Sequence, residues 1–94
     1  MQKIWKFSIP AKDTFDLVLK EGAQVLTVQV QEEEPYIWVL LDPDAPDEAA
    51  SFLLIPTGKA LPDVPVSYVG TFQVLEGAGV FHLFRQEGRE RHRD

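Results

Sequence analysis

The chain contains no cysteine, so neither a disulfide framework nor a metal site built on thiolates is possible. Long apolar runs are also missing. The N-terminal stretch MQKIWKFSIPAKD lacks the apolar core of a secretory signal, and no segment approaches the length of a membrane span. We therefore expect a soluble protein that stays in the compartment where it is made and does not bind a membrane.

Basic residues are scarce in the middle of the chain. Lys59 is the only cation between Glu21 and Phe84, whereas ten acidic residues lie in the same interval, and the net charge of the chain is −6. Because binding to nucleic acid depends on cations that neutralise phosphates, this distribution argues against direct nucleic-acid binding. The acidic charge either serves solubility, or it faces a basic protein partner and mimics nucleic acid.

Apolar residues are plentiful by contrast. They make up 45% of the 94 residues and include two tryptophans, two tyrosines and six phenylalanines, each of which buries a large area. A chain of this length forms one domain. We predict a single β domain over residues 1–87, followed by a charged, frayed tail over residues 88–94.

Seven segments show the two-residue alternation of half-buried strands, and turn residues separate them. The clearest is Val25–Gln31, in which every second side chain is apolar. The segments are 4–9, 15–20, 25–31, 36–41, 51–55, 66–75 and 80–84. No segment offers a crossover helix, so a parallel α/β fold is excluded. The predicted fold class is all-β, a compact antiparallel β-sandwich or small barrel of about seven strands.

The stretch Val25–Pro46, two apolar strands joined by an acidic turn and followed by a proline-rich exit, is the segment around which we expect the fold to be organised. Tyr36–Leu41 is apolar on both faces, which is typical of a central strand covered on two sides. Trp5 and Trp38 follow the apolar alternation of their strands and are predicted to pack in the core. Residues 42–47 contain two prolines, which lack an amide donor, and should form a rigid acidic loop.

Several blocks occur in a fixed order over residues 2–85. They are Ile4-Trp5-Lys6-Phe7, Gly22-Ala23-x-Val25-Leu26-x-Val28-Gln29-Val30-Gln31, Ile37-Trp38-x-Leu40-x-Asp42-Pro43-x-Ala45-Pro46, Thr57-Gly58, Tyr68-x-Gly70-Thr71-Phe72-Gln73 and Val80-Phe81-His82-x-Phe84. This pattern resembles a family of small, uncharacterised domains found mostly in bacteriophage genomes and prophages. The family has no established activity, so the resemblance implies phage origin, and hence the cytoplasm of an infected bacterium, rather than a mechanism.

The chain departs from that pattern at two positions. Tyr36 stands where members of the family often have a cysteine or another residue, and Lys59 stands where they often have a histidine after the Thr-Gly pair. The resemblance therefore does not imply histidine-dependent chemistry at this site.

Two groups of polar residues are candidates for ligand binding or for an interface. In Thr57-Gly58-Lys59, the glycine lets backbone amides approach a ligand and the lysine meets an anion. The alternative there is a turn with a solvated lysine. The second group forms a neutral hydrogen-bonding surface if its two strands pair, and otherwise an ordinary solvent face. Its members are Gln29, Gln31, Thr71 and Gln73.

The remaining candidates carry little chemistry. Tyr36 and Tyr68 begin their strands, so we expect them to be partly exposed and able to stack on a base or line an interface. His82 has no metal-spaced partner and is predicted to be half-buried with its hydrogen bonds satisfied. The acidic residues 42–48 depart from the spacing of a calcium loop. We find no paired acid and base and no activated nucleophile, and predict no enzyme, no catalytic residue, no metal and no cofactor.

The leading hypothesis is a non-enzymatic phage accessory protein that binds a host protein and antagonises a host enzyme or defence system. One alternative is an oligomeric sponge for a nucleotide-like signal, with Lys59 on the phosphate and Tyr36 or Tyr68 on the base. Another is a component of virion or replication assembly. We also expect a homo-oligomer, because a small domain with many strands leaves edges to cover.

Overall fold

Seven β-strands and one short 3₁₀ turn make up residues 1–87, the part of the chain that the structure, a computed structural model, describes. The strands are β1 (Lys3–Ser8), β2 (Thr14–Lys20), β3 (Gln24–Gln31), β4 (Glu34–Leu41), β5 (Asp47–Pro56), β6 (Val66–Val74) and β7 (Gly79–Gln86), and the 3₁₀ turn covers Leu75–Gly77. The all-β prediction is confirmed, and a strand is present at each predicted segment. The predicted tail over residues 88–94 lies outside the described residues.

The strands form two antiparallel sheets that pack face to face. Sheet A has the order β1-β4-β3, and sheet B has the order β2-β5-β7-β6. The alternating sequence pattern requires this arrangement, because each strand with one apolar face must bury that face against another layer. Of the two predicted architectures, the sandwich is therefore the observed one.

The core lies between the two sheets and is centred on β4. Ile37 and Leu41 of this strand are at most 1% exposed. From sheet B, Phe52 and Leu83 are equally buried, and the ring of Phe15 stacks on Phe52 with centroids 5.3 Å apart. Full burial of such a side chain contributes about 1.5–3 kcal/mol. The central position predicted for the strand over residues 36–41 is confirmed.

The two sheets are in closest contact where β3 lies against β6. Each of these edge strands contains a β-bulge, between Val25 and Thr27 in β3 and between Tyr68 and Gly70 in β6. A bulge bends its strand and increases the local twist. Gly70 permits the close approach, because a Cβ atom on it would lie 2.7 Å from Cγ1 of Val28.

Replacing Gly70 with Ala is expected to lower the free energy of unfolding by about 1–3 kcal/mol, the usual cost of forcing a methyl group into a packed core. The β-branched side chain of Val28 is stiff and does not move aside easily. Urea denaturation of the wild type, Gly70→Ala, Val28→Ala and the double variant measures the effect. The cost of Gly70→Ala should shrink in the Val28→Ala background, whereas an equal cost in both backgrounds would contradict the contact.

The prediction that Trp38 packs in the core is wrong. Cross-strand pairing places Trp38 opposite Lys6 and Thr27, on the face of sheet A that is turned away from sheet B. The expectation that β4 is covered on two sides is therefore also wrong, because no element within residues 1–87 covers that outer face. Trp5 does face sheet B, but it is 40% exposed because β1 is an edge strand.

The predicted start of the fifth strand is also wrong. β5 begins at Asp47 rather than at Ser51, and the acidic loop is confined to residues 42–46. The additional residues are held by β2, where Lys20 pairs with Asp47 and its ammonium lies 2.7 Å from the Asp47 carboxylate. Long-range pairing thus extends a strand into a polar segment that shows no strand pattern of its own.

Candidate functional site

The sequence-predicted site residues lie on two opposite surfaces of the sandwich. Gln29, Gln31 and Tyr36 lie on the outer face of sheet A. Thr71 and Gln73 belong to β6, on the outer face of sheet B. The condition that the two glutamine-bearing strands pair is not met, because β3 pairs with β4 and β6 pairs with β7. The four residues therefore do not form one hydrogen-bonding surface.

The outer face of sheet A carries aromatic and aliphatic side chains among polar ones. The ring of Tyr36 contacts that of Trp38 edge-on at 6.3 Å, and the Lys6 ammonium lies 4.5 Å from the centre of the Tyr36 ring. Lys6 also donates a hydrogen bond of 3.0 Å to Oε1 of Gln31. The exposed Lys6 side chain is thus placed over the aromatic ring of Tyr36.

The outer face of sheet B carries a chain of hydrogen bonds centred on His82. Nε2 of the imidazole is 2.7 Å from the Thr57 hydroxyl, and Nδ1 is 2.9 Å from the Thr71 hydroxyl. The Thr71 hydroxyl is in turn 2.6 Å from that of Tyr68, which is 61% exposed. The prediction that His82 is half-buried with both nitrogens satisfied is confirmed, as is the prediction that Tyr68 is exposed.

One tautomer of His82, with the proton on Nε2, lets the chain of hydrogen bonds end on a backbone acceptor. The Thr57 hydroxyl can donate to the backbone carbonyl of Val80, 3.4 Å away, if it accepts a hydrogen bond from Nε2–H. Nδ1 then accepts from Thr71, which accepts from Tyr68. Every hydroxyl donates in the same direction, from the exposed phenol to a backbone carbonyl. The chain fixes the orientation of these side chains on an open sheet face.

Thr57, Gly58 and Lys59 form a turn next to this chain. The amide of Lys59 donates to the Pro56 carbonyl at 3.1 Å, and Gly58 has φ of +94°, which a glycine adopts without strain. Among residues 1–87 the Lys59 side chain makes no hydrogen bond or ion pair, and it is exposed. The turn with a solvated lysine is therefore the arrangement in the structure, with the Thr57 hydroxyl bound to His82.

A cleft with a largely apolar lining lies at one end of the sandwich, and sequence reasoning missed it. It opens between the sheets, where β1 leads into β2 and where the β3–β4 and β6–β7 hairpins turn, and has a volume of about 460 Å³. Its floor is apolar. The floor residues are Ile9, Pro35, Leu54, Phe72, Val74 and Phe81.

Charged side chains form the rim of this cleft. Asp13 precedes β2, and Glu33 and Glu34 lie at the β3–β4 turn. Lys12 is the one cation among the lining residues. Leu75, on the opposite side, is 70% exposed and extends the apolar lining out of the cleft. The site therefore combines an apolar floor with a predominantly negative rim.

Both hairpin turns that border the cleft hold non-glycine residues in the left-handed region. Glu32 and Glu33 have φ of +51° and +69°, and they form the two-residue loop of the β3–β4 hairpin. Leu75 and Glu76, in the β6–β7 loop, have φ of +54° and +55°. An L-residue in this region costs about 1–2 kcal/mol, and asparagine and glycine are the residues that such turns favour. Two of these four costly positions, Glu33 and Leu75, line the cleft itself, and the other two are their neighbours in the same turns.

A signal for this site is present in the sequence but is easily misread. Glu32-Glu33 stands where a two-residue hairpin loop favours Asn-Gly, and the sequence shows only a charged turn. The floor residues follow the normal apolar alternation of strands, so nothing distinguishes them from core. Only the pairing of the strands reveals that they lie at an open end of the two sheets.

The described residues show no other arrangement with obvious chemistry. Within residues 1–87 there is no group of three or more histidine, aspartate and glutamate side chains able to hold a metal ion. No helix in the same range has the length and hydropathy required to cross a membrane.

These features define the class of the protein as an antiparallel two-sheet β-sandwich with an apolar cleft at one end. The chain belongs to the family described as a domain of unknown function (DUF7352), whose family model matches residues 1–94. The expectation of a small uncharacterised domain is thereby confirmed. Searches of curated proteins and of solved structures each gave no significant match.

Proposed function

We propose that the protein is a non-enzymatic binding domain whose end cleft takes a segment of a partner protein. The segment would place an apolar side chain in the cleft and lysine or arginine residues against its rim. The observation that carries this proposal is the combination of an apolar floor of about 460 Å³ with the acidic rim of Asp13, Glu33 and Glu34. Ligand sites are typically concave, apolar and of this size.

The backbone conformation of the rim supports this proposal. Glu32 and Glu33 hold two carboxylates at a turn where Asn-Gly would be more stable. Strained residues cluster at binding sites, where the surrounding structure supports the strain. A turn with no role beyond joining β3 to β4 has no physical reason to keep two glutamates in the left-handed region.

The charge of the rim favours a basic protein over a phosphorylated ligand. Three carboxylates and a single ammonium line the cleft, so a phosphate there would meet repulsion. A lysine or arginine side chain would instead pair with Glu33 or Glu34. The resemblance to phage domains makes a host enzyme or defence protein, in the cytoplasm of an infected bacterium, the partner class to test first.

Selection from a peptide library tests the proposal. The immobilised wild type should enrich peptides with a large apolar residue next to lysine or arginine. The variant Glu33→Lys/Glu34→Lys should lose affinity for these peptides by about tenfold or more, because it replaces two of the negative charges on the rim with positive charges. The control Asp44→Lys/Glu48→Lys makes the same change in charge at exposed positions near the opposite end and should bind normally. No enrichment, or equal losses in both variants, would contradict the proposal.

A variant and a matched control also test the apolar part of the site. Leu75→Ser removes an exposed apolar group at the cleft, and Leu61→Ser removes one from the β5–β6 connection. We expect only Leu75→Ser to weaken the selected peptides, by about three- to tenfold, because burial of a leucine contributes about 1.5–3 kcal/mol and only part of it would be covered. Fluorescence anisotropy with a labelled peptide measures both variants.

The His82 chain favours a second candidate function, the sponge for a nucleotide-like signal. His82 is hydrogen-bonded to the hydroxyls of Thr57 and Thr71, and the Thr71 hydroxyl is hydrogen-bonded to that of Tyr68. Lys59 lies in the turn that begins at Thr57. Tyr36 lies on the opposite face, so only Tyr68 is placed to stack on a base near this lysine. A thermal shift with cyclic or NAD-derived nucleotides that is lost in Lys59→Gln would support the sponge, and no shift would remove it.

A further inference from the structure

Within residues 1–87 four edge strands border the two sheets, and one of these four is suited to pair with another strand. β3 and β6 each contain a bulge, which disturbs the pattern of backbone groups at an edge. β1 carries Lys3 and Lys6 and no acidic residue, so a second copy of β1 would bring lysines against it without a matching acid, whereas Lys20 of β2 is matched by Asp16. β2 has neither a bulge nor a proline, and its register with β5 is continuous from Thr14 to Lys20.

The hydrogen bonds of β2 to β5 define which of its backbone groups remain available. The carbonyl of Asp13 accepts from the amide of Leu54 at 2.8 Å, and the amide of Glu21 donates to the carbonyl of Pro46 at 2.8 Å. Both β2-side residues are odd-numbered, and backbone groups alternate in direction along a strand. The amides and carbonyls of the even-numbered residues, from Thr14 to Lys20, therefore point away from β5, to the outer edge.

The side chains of these even-numbered residues are self-complementary. Asp16, Val18 and Lys20 lie in a row on the outer face of sheet B, and Val18 is 63% exposed. In an antiparallel pair of identical strands, even-numbered residues face even-numbered residues if their backbone groups are to bond. With Val18 opposite the partner's Val18, Asp16 faces the partner's Lys20, and the contact occurs twice. Within its own chain Lys20 is 2.7 Å from the Asp47 carboxylate and Asp16 accepts a hydrogen bond of 2.6 Å from the Ser51 hydroxyl, so in the pair each Lys20 would lie between Asp47 of its own chain and Asp16 of the other. Shifting the pairing so that Asp16 faces the partner's Asp16 creates repulsion instead.

We propose that a second copy of this chain adds to the edge of β2 about a twofold axis in this register. The two four-stranded sheets then form one eight-stranded sheet. On the inner face, Leu17 is half-buried in one chain and lies opposite the partner's Leu19 in the pair, so the apolar layer continues across the axis. A twofold axis requires such a self-complementary surface. The proposal is independent of what the cleft binds.

The proposed pairing also determines where the two clefts lie in the dimer. Asp13, at the cleft, immediately precedes Thr14 at the start of β2. Because the two β2 strands run in opposite directions, the two clefts lie at opposite ends of the eight-stranded sheet. The dimer therefore presents two separate sites, and no residue of one chain completes the cleft of the other.

Complementary charge variants test the register. The wild type should sediment at twice the chain mass of 10.6 kDa. Asp16→Lys leaves only cations at the two positions and Lys20→Asp leaves only anions, so each variant alone should shift to the mass of one chain. Mixing the two variants should restore a dimer that contains one chain of each, and the double variant D16K/K20D should dimerise with itself.

Controls separate the interface from folding and from net charge. Asp44→Lys makes the same charge change as Asp16→Lys away from β2 and should remain dimeric. Val18→Lys, which changes an exposed residue, should dissociate the dimer while the near-ultraviolet circular dichroism spectrum stays native. The same spectrum is required of Lys20→Asp, because this change also removes the ion pair between Lys20 and Asp47. A wild type that has the mass of one chain at every concentration would overturn the proposal. A dimer that survives Val18→Lys and both charge variants would also overturn it.

Discussion

Replacing Glu32 with Asn and Glu33 with Gly is expected to stabilise the protein and to weaken its binding at the same time. Both glutamates have positive φ, and Asn-Gly is the pair that a two-residue hairpin loop of this kind favours. Removing two left-handed L-residues should raise the free energy of unfolding by about 1–3 kcal/mol. The same change removes the Glu33 carboxylate from the rim of the cleft and the neighbouring Glu32 carboxylate, so peptide affinity should fall.

Urea denaturation and peptide anisotropy on the same preparations measure the two effects. The control Glu32→Gln/Glu33→Gln removes both charges and keeps the backbone cost, so it should weaken binding without the gain in stability. If the glutamates at this turn serve binding, both double variants should bind more weakly, and only E32N/E33G should be more stable. If E32N/E33G is no more stable than the wild type, the left-handed glutamates carry no cost, and the argument from strain fails.

Replacing Ile37 with Ala should lower the free energy of unfolding by about 2–5 kcal/mol, because it opens a cavity around a side chain that is 0% exposed. The neighbouring Trp38→Ala should cost about 1–2 kcal/mol, although tryptophan is larger. Trp38 lies on the outer face of sheet A and is only half-buried, so its loss creates no enclosed cavity.

The comparison of these two variants tests which face of β4 is covered. Chemical denaturation gives both free energies, and Trp5→Ala, at an edge of the inner face, serves as a further reference. A cost for Trp38→Ala equal to or above that for Ile37→Ala would contradict the open outer face. It would mean that another layer, such as a second molecule, covers sheet A in solution.

Much of the fold follows from local pattern. The alternation in β3 identifies the strand and its buried face, and glycine and proline mark most of the connections, although Pro35 lies inside β4 and β5 begins earlier than predicted. The hydrophobic alternation gives the wrong exposure where strand pairing decides which face of the sheet a residue lies on. Leu26 follows the apolar alternation, yet the bulge between Val25 and Thr27 leaves it 42% exposed. Trp38 is an apolar residue on a central strand, but its apolar character alone does not indicate whether another layer of the protein covers that face of the sheet.

The candidate site is harder to predict than the fold. Thr57, Tyr68 and Thr71 are marked as polar in the sequence, but only the pairing of β7 with β5 and β6 shows that His82 joins them. The cleft depends on two turns that are distant in sequence and adjacent in space, those at Glu33 and Leu75. Nothing local encodes that proximity. The sequence does contain the unusual residues of both turns, and their cost becomes visible only with the backbone angles.

Chemical-shift mapping of a selected peptide on the isotope-labelled protein tests the central claim most directly. The claim is that the end cleft, and not an outer face, is the binding surface. We predict that the largest amide shifts occur at the cleft, at Glu33, Phe72, Leu75 and Phe81, while Trp38 and His82 change little. Largest shifts at Trp38 or at His82, with the cleft unchanged, would contradict the claim and would assign binding to the outer face of one of the two sheets.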